Sequence, residues 1–213
     1  MIYREPLLDK LERKIGRFAI PNLMLYLVGV NALVWLADLI LVRLGNTPLS
    51  AWIDFDRSLI LSGQVWRVLT FVFVPYDSNI LTLLISLYFY WMIGSSLEAV
   101  WGAFRFNVFY FSGILFTAAC GMIFGDAVNI YLNTSLFLAY AILFPDNEIL
   151  LFFVIPVKVK YLGILSAALL VFFLVTQPFF LKMLIVFSLL NLALFFWRDF
   201  FDLVRRLFRK WRR

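Results

Sequence analysis

Apolar runs of membrane-spanning length dominate the chain. A helix needs about 20 apolar residues to cross the hydrocarbon core. The pattern predicts six such segments, at residues 21–42, 80–93, 104–124, 127–144, 161–175 and 180–197. Their ends have chemical reasons. Pro21 stands at a tolerated first-turn position, Gly125 follows the third run, Pro145 stops the fourth, and Gln177 with Pro178 stops the fifth. The second run is expected to be extended at its start by a buried loop. The run "ILLFFVIPV" (149–157) is too short to span and reads as a re-entrant or interfacial piece. Ahead of the first run, Leu7, Leu8, Leu11, Ile15 and Phe18 fall near helical spacing, with Lys10, Arg13, Lys14 and Arg17 on other faces. That pattern predicts a short amphipathic helix lying on the membrane surface. Its scattered charges, with no small-residue cleavage site before the first run, argue against a signal peptide.

Composition agrees. Hydrophobic residues make up 64% of the 213-residue chain and charged residues 15%, against roughly 45–50% and about 25% in soluble domains. The mean hydropathy is +0.94. The expected fold class is therefore all-α: a polytopic membrane helical bundle of six transmembrane helices. Residues 1–19 form a cytoplasmic amphipathic segment, 20–198 the membrane domain, and 199–213 a basic cytoplasmic tail. With the N-terminus inside, fifteen of the 19 Lys and Arg fall on inner segments and four on outer ones (Arg43, Arg57, Arg67, Lys182). The positive-inside rule then places both termini in the cytoplasm. The tail "VRRLFRKWRR" interleaves basic and aromatic residues, a footprint also used on nucleic acid. Directly after a span it reads instead as contact with anionic lipids and a topology anchor, with no nucleic acid partner.

The outer loop 43–79 is unusually apolar. Trp52, Ile53, Phe55, Leu59, Ile60, Leu61, Val65 and Trp66 would be unwelcome in a solvated loop. They predict a structured insertion embedded in the outer leaflet, with Asp54, Asp56 and Arg57 toward the headgroups.

Several motifs resemble the rhomboid family. "GQVWRVLTFVFVP" (63–75) is similar to its Trp-Arg loop element, carried here by Trp66 and Arg67. "IGSSLEAVWGAFRFNVFYFSG" (93–113) resembles the junction between spans two and three, with Glu98, Gly102 and Arg105 at the family positions. "FPDNEILLFFVIPVKVKYL" (144–162) resembles the segment after span four. The resemblance covers roughly residues 20–198. It implies a rhomboid-like fold with an embedded first loop, and it includes the derlin branch, which keeps the fold without protease activity. On physical grounds Arg67 can stack on Trp66 or bond across the loop. Glu98 would need donors from Arg105 or from free helix-end amides. All five motif residues are expected to be structural.

Active rhomboids are implied to use a serine in a Gly-x-Ser-Gly setting on span four and a histidine base on span six. This chain carries Asn133-Thr134-Ser135-Leu136 instead and contains no histidine. A hydroxyl is a poor nucleophile without a base, so no Ser-His dyad can form. Lys182, at the outer start of span six, is the one substitute base, giving a weak Ser135–Lys182 pair. Otherwise Asn133, Thr134 and Ser135 form a degenerate-site polar cluster with Ser188 and Asn191. They are expected to bond across to those two residues or back to their own helix. The sequon Asn133-Thr134-Ser135 lies inside a span and is discounted for glycosylation.

Cys120 is the only cysteine, and no metal cluster, phosphate loop or haem motif appears, so no cofactor or metal is expected. The leading expectation is a catalytically degenerate pseudoprotease that binds or escorts the transmembrane segments of client proteins. The simplest setting is a bacterial plasma membrane. Two alternatives stand beside it: an intramembrane serine protease with a non-histidine base, and a small transporter or membrane-complex subunit. Against the last, no internal repeat is visible, and Asp38 is the only acidic residue well inside a predicted span, placed to reach headgroups or pair with Arg43.

Overall fold

The structure is a computed structural model. It describes the backbone of residues 6–75, 79–125, 127–151 and 155–211, and the side chains of 10–75, 79–125, 127–150 and 156–195. Ten α-helices, two single-turn 3-10 helices (Gly16–Phe18 and Phe71–Phe73) and one hairpin make up the described elements. Helix α1 (Pro6–Ile15) precedes α2 (Leu23–Arg43), followed by three short helices, α3 (Ser50–Ile53), α4 (Arg57–Leu61) and α5 (Arg67–Thr70). Then come α6 (Ile80–Trp101), α7 (Ala103–Phe124), α8 (Ile130–Leu143), β1 (Glu148–Leu151), β2 (Ile155–Lys158), α9 (Val159–Thr176) and α10 (Phe179–Trp211).

Four helices, α2, α6, α7 and α9, are long and apolar enough to cross a membrane, with mean hydropathies between 1.6 and 2.1. At about 1.5 Å per residue, the 21 residues of α2 reach about 32 Å, enough for a hydrocarbon core of about 30 Å. Helix α8 has 14 residues and reaches only about 21 Å. Helix α10 has 33 residues, and its backbone passes residue 198 into the basic tail without a break. Helix α7 is central: over half of its apolar window is buried, against 11% for α2. Helix α2 leaves Leu25, Tyr26, Leu33, Leu36 and Ile40 exposed. In water such a face would be a liability; in a bilayer it is the surface that meets lipid.

The helix ends follow local chemistry. Gly102 (φ 82°) makes the single-residue turn between α6 and α7, a conformation that favours glycine. Beside it, Glu98 Oε1 accepts a 2.6 Å hydrogen bond from the Asn22 amide at the start of α2. This is the free helix-end donor expected for Glu98. Arg105 Nε lies 3.6 Å from Glu12 Oε2, tying α1 to α7. Asp38 accepts from the Ser50 amide at 3.0 Å, so it fastens α3 to α2; a pairing with Arg43 is not what it makes.

The apolar run after α8 is an antiparallel hairpin, with Glu148 opposite Lys158 and Ile149 opposite Val157. The chain stays an all-α bundle in class, with this short hairpin a local exception among the described elements. Pro156 lacks the N–H a helix would need, and the flanking Ile and Val residues favour extended backbone. Residues 152–154 of this run lie outside the described part. At the hairpin base, Asp146 Oδ1 and Lys160 Nζ pair at 3.0 Å. The Lys160 hydrogen bond and charge hold the Asp146 carboxyl below its ordinary pKa. A depressed carboxyl contributes stability at neutral pH that is lost as pH falls through the lowered pKa. Because the pair is exposed, Asp146→Asn is expected to leave the melting temperature unchanged within error at pH 7. A melt shifted by several degrees would show that the hairpin base bears more of the fold than its exposure implies.

Candidate functional site: a polar cavity and an open groove

The insertion between α2 and α6 is built around one cation. Arg67 is 3% exposed. Its Nη1 donates to the carbonyls of Ala51 (3.1 Å) and Asp54 (2.7 Å), its Nη2 to Ala51 (3.1 Å), and its Nε to Gln64 Oε1 (2.8 Å). Of the two roles open to it in the sequence, it bonds across the loop. Trp66 Nε1 donates to the Trp52 carbonyl at 3.2 Å, and Thr70 Oγ1 to that of Ile53 at 2.9 Å. Asp56 caps α4 by accepting from the Ser58 and Leu59 amides. Phe55, Ile60, Phe71 and Val72 are buried beneath, while Trp52, Leu61, Val65 and Trp66 face outward. Asp54 and Arg57 are exposed.

The polar triplet of α8 divides in two. Ser135 is fully buried, and its hydroxyl donates to the Leu132 carbonyl at 2.7 Å. Thr134 donates to Ile130 at 2.8 Å. Both bond back to their own helix. Ser188, also buried, does the same to Ile185. Asn191 does not reach α8 as expected. Its Nδ2 donates to the Phe109 carbonyl at 2.8 Å, and its Oδ1 accepts from Ser112 Oγ at 2.7 Å. Both partners are on α7. Gly113 explains the choice: a Cβ there would sit 3.0 Å from Asn191 Nδ2, so the missing side chain admits the carboxamide. Lys182, half-buried near the start of α10, makes no side-chain hydrogen bond to Ser135.

Asn133 points elsewhere. It lines a cavity of about 30 Å³ enclosed by α2, residues 72–74, α6, α7 and α8, together with Asn31, Asn129, Ser86, Tyr90 and Tyr110. Asn31 and Asn129 both donate to the Val72 carbonyl at 3.3 Å, which hangs the insertion's last turn on the bundle. The volume suffices for ordered water, which needs at least about 10–15 Å³ and two or more polar partners. Asn133 also lines a second, more open space of about 310 Å³, shared with Ser86, Tyr90 and Thr134 and closed by Ser166 of α9. This groove is lined by α6 and α8, with Ser166 the one contribution of α9. Its apolar wall includes Ile85, Phe89 and Phe137.

Sequence reasoning picked out Asn133 and Thr134 but missed Asn31, Ser86, Tyr90, Asn129 and Ser166. The same signal, a polar side chain within an apolar span, marks most of them. Among the described residues no group of three or more His, Cys, Asp or Glu could hold a metal ion. Comparison of the chain with protein-family models, with curated proteins and with solved structures returns no match.

Proposed function

We propose that this chain is a rhomboid-like pseudoprotease of six spans that binds or escorts membrane-protein clients without cutting them. The observation that carries the reading is the open groove lined by α6, α8 and Ser166 of α9, which has Ser86, Tyr90, Asn133 and Thr134 among its apolar walls. A transmembrane helix with a polar residue gains from resting there, because hydrocarbon offers that residue no partner. Holding such a helix requires no nucleophile. Two further facts favour binding over cleavage: the chain has no histidine, and the Ser135 hydroxyl is enclosed and bonded to its own helix. In this reading α8 and α10 complete the six spans, both termini are cytoplasmic, and the basic tail meets anionic lipid. The cytoplasmic face of a bacterial plasma membrane supplies that charge.

The test is cleavage of a transmembrane model substrate in liposomes, with Ser135→Ala and Lys182→Ala alongside and a serine-reactive probe on the same samples. The expected result is no product and no labelling in any sample while an active rhomboid control works. Cutting or labelling by the wild type that Ser135→Ala abolishes would overturn the reading and make Lys182 the first base to examine.

A further inference from the structure

Helix α1 is fastened to one end of the bundle and leaves its positive charge unanswered. Arg105, near the start of α7, pairs with Glu12 of α1. Phe55 of the insertion packs at Gly121, close to the other end of α7. The 22 residues of α7 rise about 33 Å, the thickness of a hydrocarbon core. With α7 across the bilayer, α1 lies level with one membrane surface and the insertion with the other.

Lys10, Arg13 and Lys14 fall at i, i+3 and i+4 and so share one face of α1. Arg17 follows in the 3-10 turn that continues the helix. All four are exposed, and none makes an ion pair or a hydrogen bond among the described residues. Arg17 does no more than stack on the Phe18 ring, 4.9 Å from its centre. Glu12, the nearest described acid, is already engaged by Arg105. Beside the cations Leu11, Ile15 and Phe18 are exposed as well.

From this combination we infer that α1 is a binding surface for anionic phospholipid. Its four cations meet the headgroup phosphodiesters of lipids that carry net negative charge, while Leu11, Ile15 and Phe18 sink among the first acyl carbons. The inference concerns a different part of the chain from the groove and does not depend on client binding. A zwitterionic lipid serves less well, because its own ammonium group already answers the phosphate. A nucleic acid would match the charge but leave the three apolar side chains in water. A basic helix with an apolar stripe gains from both terms only at an anionic membrane surface. The long stems of lysine and arginine let the charged heads stay at headgroup level while the helix lies lower.

The experiment uses the full chain in nanodiscs, which leave both membrane faces open to solvent. One set holds phosphatidylcholine alone and the other adds one-third phosphatidylglycerol. A bimane label at Ile15→Cys reports burial of the apolar stripe through quenching by acrylamide, which is neutral and so is not itself repelled. Cys120 is buried, and wild-type protein treated in parallel gives the labelling blank. Quenching is expected to fall about threefold or more when phosphatidylglycerol is present, since each surface cation adds to the attraction. Salt at about 1 M, which shortens the screening length to about 3 Å, should remove most of that difference. The variant carrying Lys10→Gln, Arg13→Gln, Lys14→Gln and Arg17→Gln changes exposed side chains alone and should quench alike in both nanodiscs. Because the label sits on α1, contact of the basic C-terminal tail with lipid does not move the signal. Equal quenching of the parent protein in the two nanodiscs, or a phosphatidylglycerol effect that survives the four substitutions, would overturn the inference. A label shielded equally in both lipids and in detergent would show that protein, not lipid, covers this face.

Discussion

Arg67→Ala is expected to lower the melting temperature in detergent by roughly 6–12 °C and to open the outer insertion to protease. The guanidinium holds the carbonyls of Ala51 and Asp54 and the Gln64 side chain from a site 3% exposed. Truncation leaves these acceptors without their donor in a region closed to water. Hydrogen bonds to a charged group are worth about 1.5–3 kcal/mol each, and non-additivity makes about 3 kcal/mol a fair total. At about 2–4 °C per kcal/mol for a chain of this size, that gives the stated shift. Arg67→Lys should rescue little, because an ammonium cannot reproduce the planar fork that reaches both Ala51 and Gln64. Cleavage should begin between α3 and α5, where the acceptors lie. If melting and proteolysis stay as in the wild type, the insertion is held by its buried aromatics and Arg67 is incidental.

A comparable loss is expected for Gly121→Val. A Cβ at Gly121 would lie 2.7 Å from the Ala127 Cβ and 2.7 Å from the Phe55 ring. Neither neighbour can swing away: alanine has no rotamer to change, and Phe55 packs edge-on against Phe71 at 5.9 Å between ring centres. Something must shift, and overpacking of this kind costs about 1–3 kcal/mol or more. The insertion should be pushed off the C-terminal end of α7. Gly29→Ala is the control, since nothing lies within 4 Å of a Cβ there. Gly29 lies within α2, where alanine is the better helix former, so that variant should melt no lower than wild type. Equal melting of the two variants would show that Phe55 is not seated against α7 as described.

Sequence pattern served the helical membrane character well, for a definite reason: long apolar runs leave few alternatives to a membrane helix, and four of the six expected segments are helices long and apolar enough to cross. Phe55 and Ile60 of the first loop are buried, while Trp52 and Trp66 stay exposed. The hairpin was harder. A nine-residue apolar run with one proline fits a strand, a short helix or an interfacial loop equally. The polar site was least legible. Helices α6, α7 and α8 are apolar on every side, so no stripe says which face turns inward. Asn31, Ser86, Asn133 and Ser166 come from four different helices and meet only through packing. Asn191 was placed on the right helix and given the wrong partner, because its preference depends on the absence of a side chain at Gly113, a residue far away in the chain.

The unbroken course of α10 has a mechanical consequence. A flexible tail would let the basic end wander while the apolar half stayed still. A single helix of about 50 Å behaves as a lever, and a small tilt at one end is felt along its length. The fulcrum is Asn191, clasped to α7 by Phe109 and Ser112. Whatever grips the basic end therefore pulls on the central helix of the bundle, and the tail is a handle.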